Sequence, residues 1–148
     1  MLFLLFYVYL NLESRTMSVD EPFPVTVHPY RSRTRGSCAY ELGGGSHQNA
    51  IIFIGGLKDG PHTTPYIRVV AKHLETRPDL DYSIFEIRMR SSFLGFGTSC
   101  LTNDVQDISS LVSYLRKLGK QKIVLFGHST GTQVNPHRYT AGFVCADD

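Results

Sequence analysis

The pentapeptide Gly127-His128-Ser129-Thr130-Gly131 directly follows the run Lys122 to Phe126, whose last four residues are apolar. A strand, then G-x-S-x-G, then a helix is the layout of a nucleophile elbow. The flanking glycines permit a tight turn and keep side chains away from the serine. The serine then stands at the top of a sheet, beside a helix N-terminus whose free N–H groups favour developing negative charge. Ser129 is the candidate nucleophile, inert at neutral pH unless a base removes its proton. Little sequence follows Gly131 before Asp148, so the expectation is a chain ending just after the elbow.

Upstream segments supply the rest of a sheet. Ala50 to Ile54 is a continuous apolar run bounded by Gly55-Gly56, the pattern of a strand buried on both faces. Thr64 to Glu75 reads as a helix with Thr63 or Thr64 as cap, Pro65 in its first turn, and Ile67, Val70, Ala71 and Leu74 on one face. Tyr82 to Met89 reads as a strand with Phe85, Ile87 and Met89 facing one way and Glu86, Arg88 and Arg90 the other. Asn103 to Leu118 is the clearest helix, capped by Thr102 or Asn103, with Asp104 in its first turn. Its apolar stripe is Val105, Ile108, Leu111, Val112, Leu115 and Leu118, and Gly119 ends it. Val25 and Val27 alternate as in an edge strand, and Cys38 to Leu42 is a second short strand. Gly43-Gly44-Gly45-Ser46 is a turn, since the G-K-[ST] of a phosphate loop is missing. Strands alternating with helices imply parallel pairing with right-handed crossovers.

Composition excludes several classes. With 148 residues, 42% hydrophobic and 19% charged, the chain suits one globular domain rather than a disordered segment. The net charge of +2 favours no polyanion, and Arg31, Arg33 and Arg35 read as a solvated loop rather than a nucleic-acid site. Cys38, Cys100 and Cys145 are odd in number and far apart. They form no metal-ligand pattern, which makes reduced thiols the expectation. Met1 to Leu10 is uncharged and apolar, too short to span a bilayer. It reads either as an extension upstream of Met17 or as a targeting segment.

The oxyanion formed when Ser129 attacks needs two aimed donors. One is the Thr130 backbone N–H; the other comes from the loop after the buried strand, where Leu57 N–H is the choice. In this kind of elbow an acid and then a histidine follow the serine in the chain. After Ser129 only His137, Asp147 and Asp148 are available, and their order is reversed. His137 lies eight residues on, about 12 Å along a helix. His128 falls on the far side of the turn, a structural position. His28, His47, His62 and His73 all precede the serine. Asn135-Pro136 is a stop signal where a helix should continue.

The segments IIFIGGLKDG (Ile51 to Gly60), Pro65-Tyr66, RMRSSFLGFGTSCLTNDVQDI (Arg88 to Ile108) and IVLFGHSTGTQ (Ile123 to Gln133) carry a likeness. From about Pro22 to Gln133 the chain resembles a fungal family of α/β-hydrolases that includes siderophore-ester hydrolases. The resemblance spans most of this chain but only about the N-terminal half of such a domain. It implies a truncated α/β-hydrolase fold: a mainly parallel sheet with flanking helices. It implies a cytoplasmic serine esterase acting on a small-molecule ester, namely the ester bonds of hydroxamate siderophores, with no metal or organic cofactor. Only Ser129, as nucleophile, and Thr130 and Leu57, as oxyanion donors, carry over; the acid and histidine have no counterpart. Arg88 and Arg90, near a strand's carboxyl end, are either a solvated strand end or contacts for a polar ligand.

The expected organisation is an N-terminal extension over residues 1–20, the N-terminal half of a hydrolase domain over 21–133, and a divergent tail over 134–148. Two functions compete: a serine esterase incomplete in this chain, and a non-catalytic fragment with no activity of its own. In either case the Lys122–Phe126 strand, interior in such a fold, is left with a bare edge, which predicts non-specific self-association.

Overall fold

The computed structural model describes residues 22–43 and 46–134. Five strands form one sheet in the order β1-β2-β4-β3-β5. They are β1 (Val25–Pro29), β2 (Cys38–Leu42), β3 (Asn49–Ile54), β4 (Tyr82–Ile87) and β5 (Ile123–Gly127). Helix α1 (Tyr66–Glu75) joins β3 to β4, and α2 (Leu101–Lys117) joins β4 to β5. β4, β3 and β5 are parallel neighbours. β1 and β2 pair antiparallel, and β2 pairs antiparallel with β4. The segment between β1 and β2 is too short for a crossover, so that pair forms a hairpin beside the parallel core.

The two helices cover opposite faces. Ala50, Ile52 and Ile54 of β3 join Phe85 and Ile87 of β4 in a cluster closed by Val105, Ile108, Leu111 and Leu115 of α2. Phe53 and Ile84 point the other way, onto Ile67 and Ala71 of α1. The period-two alternation thus splits one apolar run between two cores. Glu86 follows Ile84 toward the second face and is therefore buried, not solvated. Its Oε1 accepts the His62 backbone N–H at 3.0 Å, and the His62 Nδ1 lies 2.7 Å from Oε2. Burial pushes the Glu86 carboxyl above its ordinary range despite His62.

Asp107 of α2 is fully buried and heavily bonded. It accepts Ser32 Oγ at 2.7 Å, Thr34 Oγ1 at 2.7 Å, and the Arg90 backbone N–H at 3.2 Å. The Arg90 guanidinium reaches it at 3.3 Å. Burial pulls its pKa up, but the Arg90, Ser32 and Thr34 bonds win and hold it below the usual carboxylate range. At the amino ends of the strands, Lys120 Nζ donates to the His47 carbonyl at 2.7 Å and to Ser83 Oγ at 3.2 Å, and sits 3.4 Å from Glu41. This ties the approach to β5 into the sheet.

Several local expectations change. α1 starts after Pro65 with no side-chain cap, because Thr63 Oγ1 instead donates to the Gly60 carbonyl at 2.8 Å. α2 starts after Cys100, ahead of Thr102 and Asn103, again without a side-chain cap. Gly119, at φ +91°, ends it as expected. Leu118 is exposed, while the rest of the stripe faces the core. Cys38 is a free thiol, but Cys100 is disulfide-bonded, which corrects the reduced-thiol expectation there. No helix among the described residues is long and apolar enough to cross a membrane. Residues 1–20, the Gly44-Gly45 turn, Asn135-Pro136, His137, Cys145, Asp147 and Asp148 lie outside the described residues.

Candidate functional site

The sheet order sets where a site can form. The chain runs from β3 outward to β4 on one side, then returns past β3 to β5 on the other. Connections leaving the carboxyl ends of β3 and β5 therefore diverge, and open α/β sheets bind ligands in such a crevice. The loop Gly55-Gly56-Leu57 leaves β3 at that end, and Ser129 follows β5 there.

Ser129 adopts φ +53°, the left-handed region that side chains avoid. Such a conformation costs about 1–3 kcal/mol and persists only where the surroundings impose it. Here they do. His128 N–H donates to the Ile54 carbonyl at 2.9 Å, so the chain leaves β5 still bonded to β3. A Cβ on Gly131 would run into the Ile54 and Gly55 carbonyl oxygens, and one on Gly127 would sit 2.7 Å from the Gly131 carbonyl oxygen. Both elbow glycines are thus required by close backbone approach. After Ser129 the described chain makes a 3-10 turn, Ser129–Gln133, rather than the α-helix expected. Thr132 Oγ1 donates to the Ser129 carbonyl at 2.7 Å and tightens that turn.

The β3 loop meets the elbow directly. A Cβ on Gly56 would lie 3.0 Å from Ser129 Cβ. Asp59 organises this loop: its Oδ2 accepts the Gly56 N–H at 2.7 Å, and its carbonyl accepts the Phe93 N–H at 3.3 Å. The Gly56 N–H is therefore occupied, and Leu57 carries the next N–H along. Leu57 and Thr130 line one cavity of about 440 Å³ together with Gly56 and Gly131, while Ser129 is exposed beside it.

His128 turns away from this cavity. Its Nδ1 lies 3.1 Å from the Tyr66 hydroxyl, and the two rings stack edge to face. Arg90 is paired with Asp107 at 3.3 Å, so it is not a free solvated strand end; Arg88 is exposed. Gly95 and Phe93 follow β4 toward the same end, and a Cβ on Gly60 would strike the Phe93 ring.

Asp104 also lines the cavity, a residue that sequence reading placed only as a first-turn charge. It is 4% exposed, and Oδ1 is buried with no hydrogen-bond partner. Burial raises its pKa above the usual carboxylate range, and the Asp107 charge adds to this; hydrogen bonds from Ser91 oppose it. The signal was in the spacing: Asp104, Ile108, Leu111 and Leu115 fall on one face of α2, so a carboxylate there points inward.

A family model described as protein of unknown function (DUF1749) matches residues 17–141. A UPF0613 protein of Schizosaccharomyces pombe is 34% identical over 123 residues, which is 74% of this chain and 37% of the relative. The fusarinine C esterase sidJ of Aspergillus fumigatus is 31% identical over 112 residues, 64% of this chain and 31% of that protein. The solved siderophore hydrolase EstB from Aspergillus fumigatus superposes with a TM-score of 0.65 at 28% identity, over 78% of this chain and 35% of that one. The chain spans about a third of the length of the curated relatives it matches.

Proposed function

This chain belongs to the DUF1749 family and has an α/β-hydrolase fold, and from that premise we propose that it supplies the nucleophile-bearing part of a serine esterase. The observation that carries this reading is the left-handed Ser129 held against Gly56 at the carboxyl ends of β5 and β3. Ser129 Oγ attacks the ester carbonyl, the alcohol leaves, and water then releases the acyl group from the serine. The Leu57 and Thr130 N–H groups receive the negative charge that forms on the carbonyl oxygen. The names of the related fusarinine C esterase and siderophore hydrolase point to ester bonds of siderophores as the substrate class. This reading puts the acid and the histidine base outside residues 22–134.

A second reading is a non-catalytic fragment. It is favoured by the placement of His128, whose ring is held by Tyr66. Hydrolysis of p-nitrophenyl acetate separates the two. The 1–148 chain should turn over far more slowly than a complete esterase, because catalysis without a complete triad keeps only about 10³–10⁴-fold over water. A fusion completed with the C-terminal part of the fusarinine C esterase should be active, and Ser129→Ala should abolish that activity. A completed chain that stays inactive, or one indifferent to Ser129→Ala, supports the fragment.

A further inference from the structure

A second cavity, of about 430 Å³, opens past the carboxyl end of β4, between the β1–β2 loop and the loop after β4. Three arginines line it: Arg35 from the first loop, Arg88 and Arg90 from just past β4. No carboxylate lines it among the described residues. Asp107 lies behind Arg90, facing Nε at 3.4 Å and Nη2 at 3.3 Å, which leaves Nη1 over. The same carboxylate accepts Thr34 Oγ1 and so anchors the loop that carries Arg35. Arg35 and Arg88 are exposed, and no ion pair engages either among the described residues. Arg31 and Arg33 are also exposed but lie outside the lining. One buried carboxylate against three guanidiniums leaves the cavity net positive. The opposite lip is apolar. Phe93 adopts φ +57°, a strained left-handed conformation for so bulky a side chain. Any Cβ on Gly60 would strike its ring, and one on Gly95 would strike the Arg90 carbonyl oxygen. The turn is thus fixed on both sides, and it holds Leu94 97% exposed at the rim. An occupant that satisfies this cavity has an anionic head and an apolar body.

From this we propose that the cavity binds the carboxylate of a small organic acid, with Arg35, Arg88 and Arg90 as its cationic wall and Phe93 and Leu94 against the acid's apolar part. A planar carboxylate matches the guanidinium fork, and such bonds are charge-assisted. Arg90, already oriented by Asp107, loses little freedom in making one. The volume is that of a small-molecule site. Met89 lines both this cavity and the one beside the elbow, so the two are neighbours. Ser129 takes no part, and the proposal does not depend on the esterase reading.

Calorimetry on the full 1–148 chain tests this without turnover, with hexanoate and its uncharged counterpart hexanamide as probes. Hexanoate should bind about tenfold tighter or more. Arg35→Gln combined with Arg88→Gln changes only exposed side chains and should abolish that preference. Arg31→Gln removes the same charge from the same β1–β2 segment, outside the cavity, and should leave the preference intact. Inorganic phosphate, which has no apolar part, should compete weakly. Equal affinities, no binding of either probe, a preference that survives the double variant, or one lost as fully in Arg31→Gln would overturn the assignment. Phosphate competing as well as hexanoate would mean a site for any anion, which overturns it too. The esterase reading stands or falls separately, on the completed chain and Ser129→Ala.

Discussion

Gly131 passes beneath the end of β3 so closely that any Cβ it carried would strike the Ile54 carbonyl oxygen. The contact is backbone on backbone, with no flexible side chain to yield. It ties the last turn of the described chain to β3, the middle one of the three parallel strands.

Two glycine substitutions separate this clash from simple turn strain. Gly119→Ala places a side chain at φ +91° with nothing within 4 Å, and should cost about 1 kcal/mol. Gly131→Ala meets fixed backbone and should cost at least about 2 kcal/mol. Urea unfolding followed by circular dichroism measures both. Equal losses would mean that the elbow has room to shift.

The buried carboxylates of α2 should respond to acid in opposite ways. Asp107 has a depressed pKa when folded. Its contribution is therefore present above the unfolded value, about 3.9, and is lost as pH falls through the lower folded value. Asp104 has a raised pKa when folded. Its charge weighs against the fold at neutral pH, and the burden lifts as pH falls through that raised value. At pH 7 Asp107→Asn should destabilise by about 3 kcal/mol, as breaking a buried pair does, whereas Asp104→Asn should leave the midpoint unchanged or raise it. Thermal melts between pH 3 and pH 7 give the comparison.

Asp59 should matter to the β3 loop before it matters to chemistry. Asp59→Ala removes the acceptor of the Gly56 N–H and should cost about 1–3 kcal/mol. The loop from Gly55 to Lys58 should become the first site of limited proteolysis. Cleavage elsewhere, at an unchanged rate for this loop, would show that Phe93 alone holds it.

β5 is an edge strand among the described residues, and Val124, Leu125 and Phe126 are 45%, 39% and 37% exposed. An apolar edge with unpaired backbone groups templates pairing with another chain. The purified 1–148 chain should elute as oligomers from a size-exclusion column, and Val124→Lys should shift it toward monomer. A monomer with one sharp melting transition would count against this reading of the edge.

Most of the scaffold was legible because its signals are local. Ala50 to Ile54 is apolar throughout since α1 and α2 press on both of its faces, and the stripe of α2 follows from helical spacing. The helix starts were not legible. Thr63 closes a turn on Gly60 instead of capping α1, and a hydroxyl's choice between two nearby backbone groups leaves no trace in the pattern. Glu86 and Asp104 escaped for another reason. Each sits at a position of correct periodicity, but whether that face meets water depends on which element lies across from it. The elbow was legible as a motif; the left-handed Ser129 and the contact between Gly131 and β3 are tertiary facts.

The order of the strands also bears on how the serine acquires its shape. β3 pairs with β4 after a single helical crossover, but with β5 only across the length of both helices, as in Ala50 with Ile123. Closing so long a loop is slow, and contacts of that separation tend to form late. Ser129 can be forced into its unfavourable conformation only once β5 has docked, because the atoms that force it belong to β3. The left-handed turn at Ser129 is then the last thing the chain makes and the first it surrenders. If so, Ile123→Ala should speed unfolding and barely slow refolding, while Ile52→Ala slows refolding; stopped-flow chevrons with the opposite pattern would place β5 in the folding nucleus.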